Sequence, residues 1–300
     1  MFARACGLGA VDLGGAMRVT LVICTRNRAA RLRETLDILA KGDLAAEGAD
    51  LVLVDSASSD ETPDVIANFA KRAPFSVTPC RADRPGLSRA RNEGIRHVQG
   101  DLVAFSDDDC LVDPDYFRAL KSSFDPREAQ YGGGETYLAS KRKGGPSPNV
   151  SNRTIIQPTV LLPPGAIHGA NMFALRSVFA KVGGFNEDMG AGTPFPCEDI
   201  EFATRCSVAG FTGVFLPNVR VCHVHGRPDG SEEAKDNLRG YDHGRGAYYA
   251  SLLGQGINQA WNLWSHCTPK AAPLPRSALE QLANEMEACA KHLRLMAERE

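Results

Sequence analysis

The stretch LVAFSDDDC, residues 102–110, decides the fold class of this chain. Its first four residues form an unbroken apolar run, which predicts a strand that is buried on both faces. The run ends in a serine and three consecutive carboxylates, Asp107, Asp108 and Asp109. Ligands of parallel sheets bind at the carboxyl ends of the strands, so these acids would lie at a ligand-binding edge.

Strand-like and helix-like segments alternate around this stretch. Strand-like runs occupy 18–24, 49–55 and 75–80, and helical patterns occupy 28–41, 58–72, 86–99 and 113–124. The alternation predicts an α/β fold with a Rossmann-like, mostly parallel central sheet flanked by helices. Asp55, which ends the second strand, would lie at the same edge as the acidic triplet.

The composition narrows the class of protein. A chain of 300 residues, 43% of them hydrophobic, can bury a sizeable core. A formal net charge of -2 provides no general attraction for nucleic acid, so we expect no nucleic-acid partner. Nine cysteines without a C-x-x-C pair argue against a disulfide framework and favour a reducing cytoplasm. No apolar run approaches 18 residues, so the sequence predicts no membrane span.

The acidic triplet predicts a cation site. Adjacent carboxylates repel one another, and a divalent ion would hold them together. Their oxygen ligands suit Mg²⁺ or Mn²⁺. At strand-like spacing Asp107 and Asp109 point to one side of the strand, and Asp108 points to the other. The alternative interpretation is a solvated acidic turn that caps the helix after Pro114.

Six segments occur in an order that resembles the family 2 glycosyltransferases of the GT-A fold. They are LVICTRNR, LVLVDSASSDET, RPGLSRARNEGI, LVAFSDDDC, GGFNEDMGAG and CEDIEFATRCSVAGF, and they lie within about residues 18–226. The resemblance implies a nucleotide-sugar donor, a divalent metal held by a D-x-D element, and inversion at the anomeric carbon. The chain departs from the family pattern at Cys24 and Arg26, where the family has a proline and an aromatic residue.

The resemblance also implies which residues contact the donor, with UDP as the first candidate nucleotide and GDP or TDP as alternatives. The expected donor contacts are Thr25, Arg26, Arg28, Asp55, Asp60, Arg91, Asp107, Asp108, Gly169, Ala170 and Asn171. A helix cap is an equal alternative for Asp60. A surface salt bridge is the commoner use of an arginine such as Arg91.

Inverting transfer needs a base for the acceptor hydroxyl and neutralisation of the leaving diphosphate. By resemblance, Asp199 is the expected base and Glu198 orients it or contacts the acceptor; two ordinary first-turn acids are the alternative. The expected metal ligands are Asp107, Asp109 and His223, with His225 as the fallback. A zinc site built from Cys222 and these histidines is disfavoured, because neighbouring side chains on a strand diverge.

The predicted organisation has three parts. Residues 1–16 are too weakly apolar for a secretion signal and are predicted to form a loose leader. Residues 17–230 would form one GT-A domain, with a nucleotide-binding half at about 17–125 and an acceptor and catalytic half at about 126–230. Residues 231–300 would form a helical extension. Within the domain, 139–165 has too little patterned hydrophobicity for a regular element and would be a mobile loop, either a lid or an idle insertion.

The helical extension carries two apolar patterns. One is an aromatic face of Tyr248, Leu252, Trp261 and Trp264, which would receive an acceptor, contact a bilayer or close the core. The other is a heptad pattern of Leu279, Leu282, Met286, Cys289, Leu293 and Met296. It predicts either docking on the chain's own domain or a homodimer through residues 279–296. We expect a cytoplasmic protein with peripheral contact at the inner face of the membrane.

These observations favour a metal-dependent inverting glycosyltransferase. Its acceptor would carry a hydroxyl, as in a lipid-linked or polymeric glycan. A sugar-nucleotide nucleotidyltransferase is the rival enzyme, but CTRNRAARL lacks the Gly-rich phosphate loop expected there. A degenerate carbohydrate-binding or scaffold protein is the rival without chemistry, and it has no need for Asp107, Asp109, Asp199 and His223 together.

Overall fold

Four parallel strands form one half of the central sheet in the computed structural model, which describes residues 17–138, 152–224, 232–267 and 276–298. They are β1 (Val19–Thr25), β2 (Asp50–Ser56), β3 (Val77–Ala82) and β4 (Leu102–Asp107). β1 pairs with both β2 and β4, and every residue of β1 is buried. The four predicted strands are therefore confirmed. The predicted leader, residues 1–16, lies outside the described residues.

The helices that cover these strands begin and end close to their predicted positions. They are α1 (Ala29–Leu39), α2 (Thr62–Arg72), α3 (Leu87–Arg96) and α4 (Tyr116–Ser123). In α1, Leu32, Leu36 and Leu39 are buried, as the three-and-four spacing predicts. On α3, a Cβ added at Gly94 would lie 2.7 Å from a methyl carbon of Val22, so glycine lets this helix approach the sheet.

The second half of the sheet is mixed. Its strands are β5 (Cys110–Val112), β6 (Tyr131–Leu138), β7 (Thr154–Ile156), β8 (Met172–Leu175) and β9 (Gly213–His223), and α5 (Arg176–Val182) and α6 (Glu198–Val208) lie between the last two. The strand order is β3-β2-β1-β4-β8-β6-β9-β5, and β7 pairs with β9. β8 is antiparallel to both β4 and β6. The α/β fold class is confirmed, whereas the mostly parallel sheet is corrected to a mixed one.

The prediction of no regular element in 139–165 is wrong for its described part. β7 lies in this segment and pairs antiparallel with β9. Leu162, in the same segment, is buried in the core. The remaining residues of the predicted loop, 139–151, lie outside the described residues, so the question of a lid stays open to experiment.

Three helices follow the sheet: α7 (Glu232–Gly254), α8 (Ala260–Cys267) and α9 (Arg276–Ala297). Most of the predicted aromatic face closes the core, since Tyr248, Leu252 and Trp264 are buried, although Trp261 is 57% exposed. α9 packs on α7, and the ring of His292 meets that of Phe195 in the predicted domain at 5.2 Å, so α9 docks on its own chain. The homodimer through residues 279–296 stays a prediction. The domain boundary near residue 230 stays a prediction. Within the described segments, none of the helices combines the length and the apolar character that crossing a membrane requires.

Candidate active site

A cleft of about 700 Å³ opens where β1 and β4 end. The predicted site residues that line it are Thr25, Arg26, Arg28, Asp107, Asp108, Asp109, Glu198, Asp199 and His223. They come from four places that are far apart in sequence: the end of β1, the end of β4, the first turn of α6, and the end of β9. The sheet brings them together because its parallel strands end at one edge.

The three acids of the triplet all accept hydrogen bonds from arginine, and Asp108 and Asp109 share Arg28. Asp108 is buried and accepts hydrogen bonds from Thr25 Oγ1 at 2.6 Å and from Arg28 Nη1 at 2.8 Å. Asp109 also accepts from Arg28, at 3.0 Å. Asp107 accepts from Arg91 Nη2 at 3.2 Å. Two arginines therefore offset the mutual repulsion of the carboxylates, and Asp107 and Asp109 keep partly exposed side chains on the cleft.

Asp109 and His223 form the core of a candidate metal site. His223 Nε2 lies 3.3 Å from Asp109 Oδ1, because β5 and β9 pair with Cys110 opposite His223. In the described parts of the chain, one group of three potential ligand residues has its atoms within 4.8 Å of one another: Asp109, Cys110 and His223. Asp107 lines the same cleft but lies outside this group. His225, the fallback ligand, is not among the described residues.

The chemistry of this donor set fits a hard divalent cation. Cys110 is 1% exposed, so its sulfur belongs to the core and leaves a carboxylate and an imidazole at the cleft. A carboxylate oxygen suits Mn²⁺ and Mg²⁺, whereas an imidazole is a donor typical of transition metals, so the pair fits Mn²⁺ better than Mg²⁺. Burial opposes ionisation of Asp109, but the hydrogen bond and charge of His223, together with Arg28, lower its pKa to about 2. Asp109 is thus ionised at neutral pH, as a candidate metal ligand must be.

Asp199 lies in the first turn of α6 with its carboxylate held from the backbone. Its Oδ2 accepts a hydrogen bond from the N–H of Gly169 at 2.7 Å. Cys197, the residue directly before α6, has a φ of 87°, a left-handed conformation that costs a non-glycine residue free energy. The strained turn and the N–H of Gly169 fix the direction in which Asp199 points. Asp199 remains partly exposed to the cleft.

Arg91 connects the end of β4 to the start of α6. It is 2% exposed, and its Nη1 donates to Glu198 Oε1 at 2.7 Å. The prediction of a surface salt bridge for Arg91 is therefore wrong, because the helix turns this side chain beneath the cleft. A Cβ added at Gly169 would lie 2.8 Å from Arg91 Nη2, so glycine allows the chain to pass over the guanidinium.

The carboxyl group of Glu198 has a raised pKa. Burial is the largest influence on its carboxyl group, and with the charge of Asp199 it outweighs the attraction of Arg91. These effects raise the pKa of Glu198 to about 7. Burial also raises the pKa of Asp108, against the hydrogen bond from Thr25 and the charge of Arg28. Protons are thus held more tightly at these two buried carboxyl groups than in water.

Several predicted donor contacts do not line this cleft. Asp55 is 3% exposed; it pairs with Arg81 and accepts from the N–H of Ser58. Asp60 accepts from the N–H groups of Ala29 and Thr62, which is the helix-capping alternative. Ala170 and Asn171 are buried away from the cleft, next to Gly169 in a 3-10 turn that spans Gly169–Asn171. The side-chain amide of Asn171 accepts a hydrogen bond from the hydroxyl of Tyr116 and donates to the carbonyl oxygens of Glu135 and Val219, so its role here is structural.

The sequence reasoning missed the wall of the cleft that α7 forms. Tyr241 and Arg245 of α7 also line the cleft. Arg245 pairs with Asp242 and donates to Glu285 Oε1 at 2.8 Å. The sequence contains a feature that could have indicated this wall: a Gly-rich pattern, G-Y-D-H-G-R-G at 240–246, which allows a helix to pack closely on a neighbouring segment. A Cβ added at Gly244 would lie 2.5 Å from the carbonyl oxygen of Pro196.

Comparison with protein families yields one match of direct relevance. The model of glycosyl transferase family 2 matches residues 20–183, which is more than half of the chain. Among curated proteins, the putative glycosyltransferase EpsH of Bacillus subtilis is 29% identical over 99 residues, or 33% of this chain and 28% of EpsH. The match thus spans little more than a quarter of that relative.

Solved structures share the fold over almost the whole chain. The mannosyltransferase PcManGT of Pyrobaculum calidifontis, solved with GDP-Man and Mn²⁺, superposes with a TM-score of 0.62 at 20% identity, covering 95% of this chain and 89% of that one. Residues 1–349 of TarS from S. aureus, solved with UDP-GlcNAc, give a TM-score of 0.63 at 14% identity, with coverages of 92% and 82%. At such identities the likeness shows the fold alone.

Proposed function

The chain belongs to glycosyl transferase family 2, and from this membership we propose that it transfers a sugar from a nucleoside-diphosphate sugar to an acceptor hydroxyl, with inversion at the anomeric carbon and with a divalent metal. One observation carries the proposal: Asp107, Asp109 and His223 line the same cleft as Asp199. Inverting displacement needs a base on one side of the reacting carbon and charge neutralisation at the leaving group on the other.

Asp199 is the proposed general base. The acceptor oxygen would attack the anomeric carbon, its proton would pass to Asp199, and the nucleoside diphosphate would leave from the opposite face. The N–H of Gly169 holds one carboxylate oxygen, which orients the side chain before the acceptor arrives. A positioned base of this kind contributes about 10² to 10⁴ in rate. Glu198 and Arg91 support the turn beneath it.

Asp107, Asp109 and His223 are the proposed ligands of Mn²⁺ or Mg²⁺. A bound divalent ion would supply positive charge to the departing diphosphate. PcManGT, whose solved structure contains Mn²⁺, supports this proposal by its shared fold. Arg28 bonds Asp108 and Asp109 and remains partly exposed, so it would add a second positive charge at the diphosphate end.

The donor would lie along the ends of β1 and β4. Thr25 and Arg26 line the cleft there and are proposed to face the nucleoside, with the guanidinium plane of Arg26 in place of an aromatic ring. We propose UDP as the nucleotide of the donor, which the UDP-GlcNAc complex of TarS supports. The GDP-Man complex of PcManGT keeps GDP as the alternative.

The acceptor would enter from the side of α7. Tyr241 and Arg245 line the cleft on this helix, and Gly244 packs against the turn that precedes Asp199. An aromatic ring and a cation next to the base suit a hydroxyl-bearing glycan, and we propose a lipid-linked or polymeric one.

A thermal-shift panel tests the donor and the metal together. UDP, GDP, TDP and CMP would each be added with and without Mn²⁺, because a ligand that binds only the native state raises the melting temperature. We expect one nucleoside diphosphate to stabilise the protein in a metal-dependent way, by about 2.7 kcal/mol at a hundred times its dissociation constant. Asp109→Asn should abolish the metal dependence. A flat response across the panel would contradict the proposal.

Asp199→Asn separates catalysis from binding. The variant should keep the metal-dependent shift with the nucleotide, because Asp199 does not belong to the metal-binding group. It should lose transfer by about 10² to 10⁴ once the donor is known, since the base is gone. Turnover at the wild-type rate in this variant would rule out Asp199 as the base.

A further inference from the structure

The outer face of α9 carries an apolar stripe that no other described element covers. Leu279, Met286 and Leu293 are 52%, 58% and 38% exposed. Three exposed alanines, Ala283, Ala290 and Ala297, lie between and after them. The outer stripe therefore consists of Leu279, Ala283, Met286, Ala290, Leu293 and Ala297. Contiguous apolar surface of this kind marks an interaction site.

The outer stripe is a second heptad pattern, distinct from the face that docks on the domain. Its members are spaced alternately by four and three residues, which places all six on one side of the helix. The docked side carries Glu285, Ala288, Cys289 and His292, all buried. Only three members of the heptad pattern identified in the sequence, Leu279, Met286 and Leu293, belong to the outer stripe; Leu282 and Met296 are half-buried and lie at its margin.

We propose that the outer stripe binds the outer stripe of a second copy of this chain, antiparallel and related by a two-fold axis centred at position 288. Such an interface is isologous, so each stripe must be complementary to itself. The proposal does not depend on the donor, the metal or the base of the active site.

The sizes of the side chains favour the antiparallel arrangement. With the two-fold axis at the level of residue 288, Leu279 faces Ala297 of the second copy, and Met286 faces Ala290 of that copy. Leu293 in turn faces Ala283. Every layer then joins one large side chain to one alanine, which lets two helices pack closely without a cavity. A parallel pairing would instead place alanine opposite alanine and leave gaps in alternate layers.

The charges beside the stripe agree with the same arrangement. Glu280 and Arg294 both follow a large stripe residue directly and are exposed. In the antiparallel pair, Glu280 of each copy lies opposite Arg294 of the other, which gives two ion pairs. Charges that flank an apolar seam set partner choice and orientation. Glu287 of one copy would lie near Glu287 of the other, close to the two-fold axis. The two carboxylates would repel each other, which makes the dimer sensitive to the charge at this position.

A membrane surface fits the stripe less well. Helices that bind anionic bilayers carry lysine and arginine on the polar face and large apolar side chains on the other. Here half of the stripe is alanine, and the exposed acids Glu280 and Glu287 of this helix balance its exposed cations Lys291 and Arg294, so the described polar side is not basic.

Sedimentation equilibrium of the full chain over a range of concentrations tests the proposal. We expect a monomer–dimer equilibrium in the wild type. Met286→Lys should weaken the dimer at least about tenfold, because the ammonium group would have to be buried against an alanine. Ile38→Lys is the matched control, since Ile38 is an exposed apolar residue of α1, and it should leave the equilibrium unchanged. Unchanged circular dichroism and melting temperature would show that Met286→Lys is folded.

A charge swap tests the antiparallel orientation. Glu280→Arg and Arg294→Glu alone should each weaken the dimer, because each creates two like-charge contacts. The double variant should restore it, and Glu287→Gln should strengthen it. A monomeric wild type at the highest concentration, or a dimer that Met286→Lys does not weaken, would overturn the proposal.

Flotation with vesicles distinguishes the bilayer as occupant. Vesicles of phosphatidylcholine alone and of phosphatidylcholine with phosphatidylglycerol would be used with the wild type and with Met286→Lys. We expect no binding that depends on Met286. Binding to either vesicle by a monomeric wild type, lost in Met286→Lys, would overturn the proposal in favour of a membrane surface.

Discussion

Four charged side chains meet where β4 ends and α6 begins. Arg91 is buried between Asp107 and Glu198, and Asp199 follows Glu198 directly. A buried arginine requires partners, because removing them leaves an uncompensated charge in a poorly solvating environment. The two acids contact one cation from opposite elements, so the start of α6 is held against the end of β4.

The raised pKa of Glu198 predicts a pH dependence of stability. The folded protein binds this proton more tightly than the unfolded chain does, since the pKa rises from 4.5 to about 7 on folding. The contribution to the free energy of unfolding is therefore fully present below pH 4.5 and is lost as the pH rises through about 7. Urea unfolding of the wild type and of Glu198→Gln across this interval measures it.

Glu198→Gln should remove that part of the decline, because glutamine can accept a hydrogen bond from Arg91 but does not titrate. Glu187→Gln is the control, since Glu187 is a surface acid paired with Arg89. It should leave the pH profile as it is in the wild type. Identical profiles for the wild type and Glu198→Gln would contradict the assigned pKa.

The position of a site residue was predictable from the sequence where that residue ends or follows a strand. Asp107, Asp108, Asp109 and Thr25 reach the cleft as expected, because each ends or follows a strand of the parallel half. Arg91 was misjudged because sequence shows only that it lies on an amphipathic helix. Whether the helix turns such a side chain outward or beneath the cleft is decided by packing.

At the scale of elements, β6 and the first part of β9 show how the mixed half of the sheet escaped prediction. β6 contains Gly132, Gly133 and Gly134, and glycine is depleted in strands. β9 contains Pro217, which has no N–H for the ladder. The register shifts here, since Gly134 pairs with Leu216 but the next residue, Glu135, pairs with Arg220. The irregular segment of β9 lies close to the glycines of β6. This contact explains the glycines, and it is seen only once the two strands are placed side by side.

Gly134→Ala should destabilise the protein strongly. An added Cβ would lie 2.0 Å from the carbonyl oxygen of Val219, so the backbone of β9 would have to move. Overpacking of a tight core costs about 1–3 kcal/mol. Gly240→Ala is the matched control in α7, where a Cβ would meet nothing within 4 Å. The control should stabilise by about 0.5–1 kcal/mol, because alanine is the better helix former.

Chemical denaturation measures both free energies of unfolding. A Gly134→Ala protein as stable as the wild type would show that β9 yields at this point without cost. In that case the close approach of the two strands would not be the reason for glycine at this position.

At the scale of the whole molecule, the C-terminal helices support the cleft. Glu285 of α9 is buried and accepts from Arg245 Nε at 2.8 Å and from Trp264 Nε1 at 2.7 Å, so one carboxylate joins three helices. Arg245 in turn lines the cleft, and Gly244 packs against Pro196. The extension therefore supports the wall next to Asp199.

Glu285→Ala should weaken this support. Removing this carboxylate takes an acceptor from Trp264 and from Arg245, which keeps Asp242 as a partner, so we expect a cost of about 1–3 kcal/mol. Hydrogen exchange of α9 amides should accelerate more than that of the β1–β4 strands, since α9 opens locally. Glu34→Ala, which breaks an exposed pair with Arg31, is the control and should change stability by less than about 1 kcal/mol. Uniform acceleration over the whole chain would contradict local opening.

By itself, the sequence determined the alternation of β1 to β4 with their helices and the acidic edge at Asp107–Asp109. The reason is that buried parallel strands and amphipathic helices leave local hydrophobic patterns, and strands that run in parallel end together. Only the tertiary structure decided the mixed half of the sheet, the burial of Arg91, the contact of Asp109 with His223 and the part of the cleft built by α7. Each of these depends on contacts between residues far apart in the chain, which no local pattern encodes.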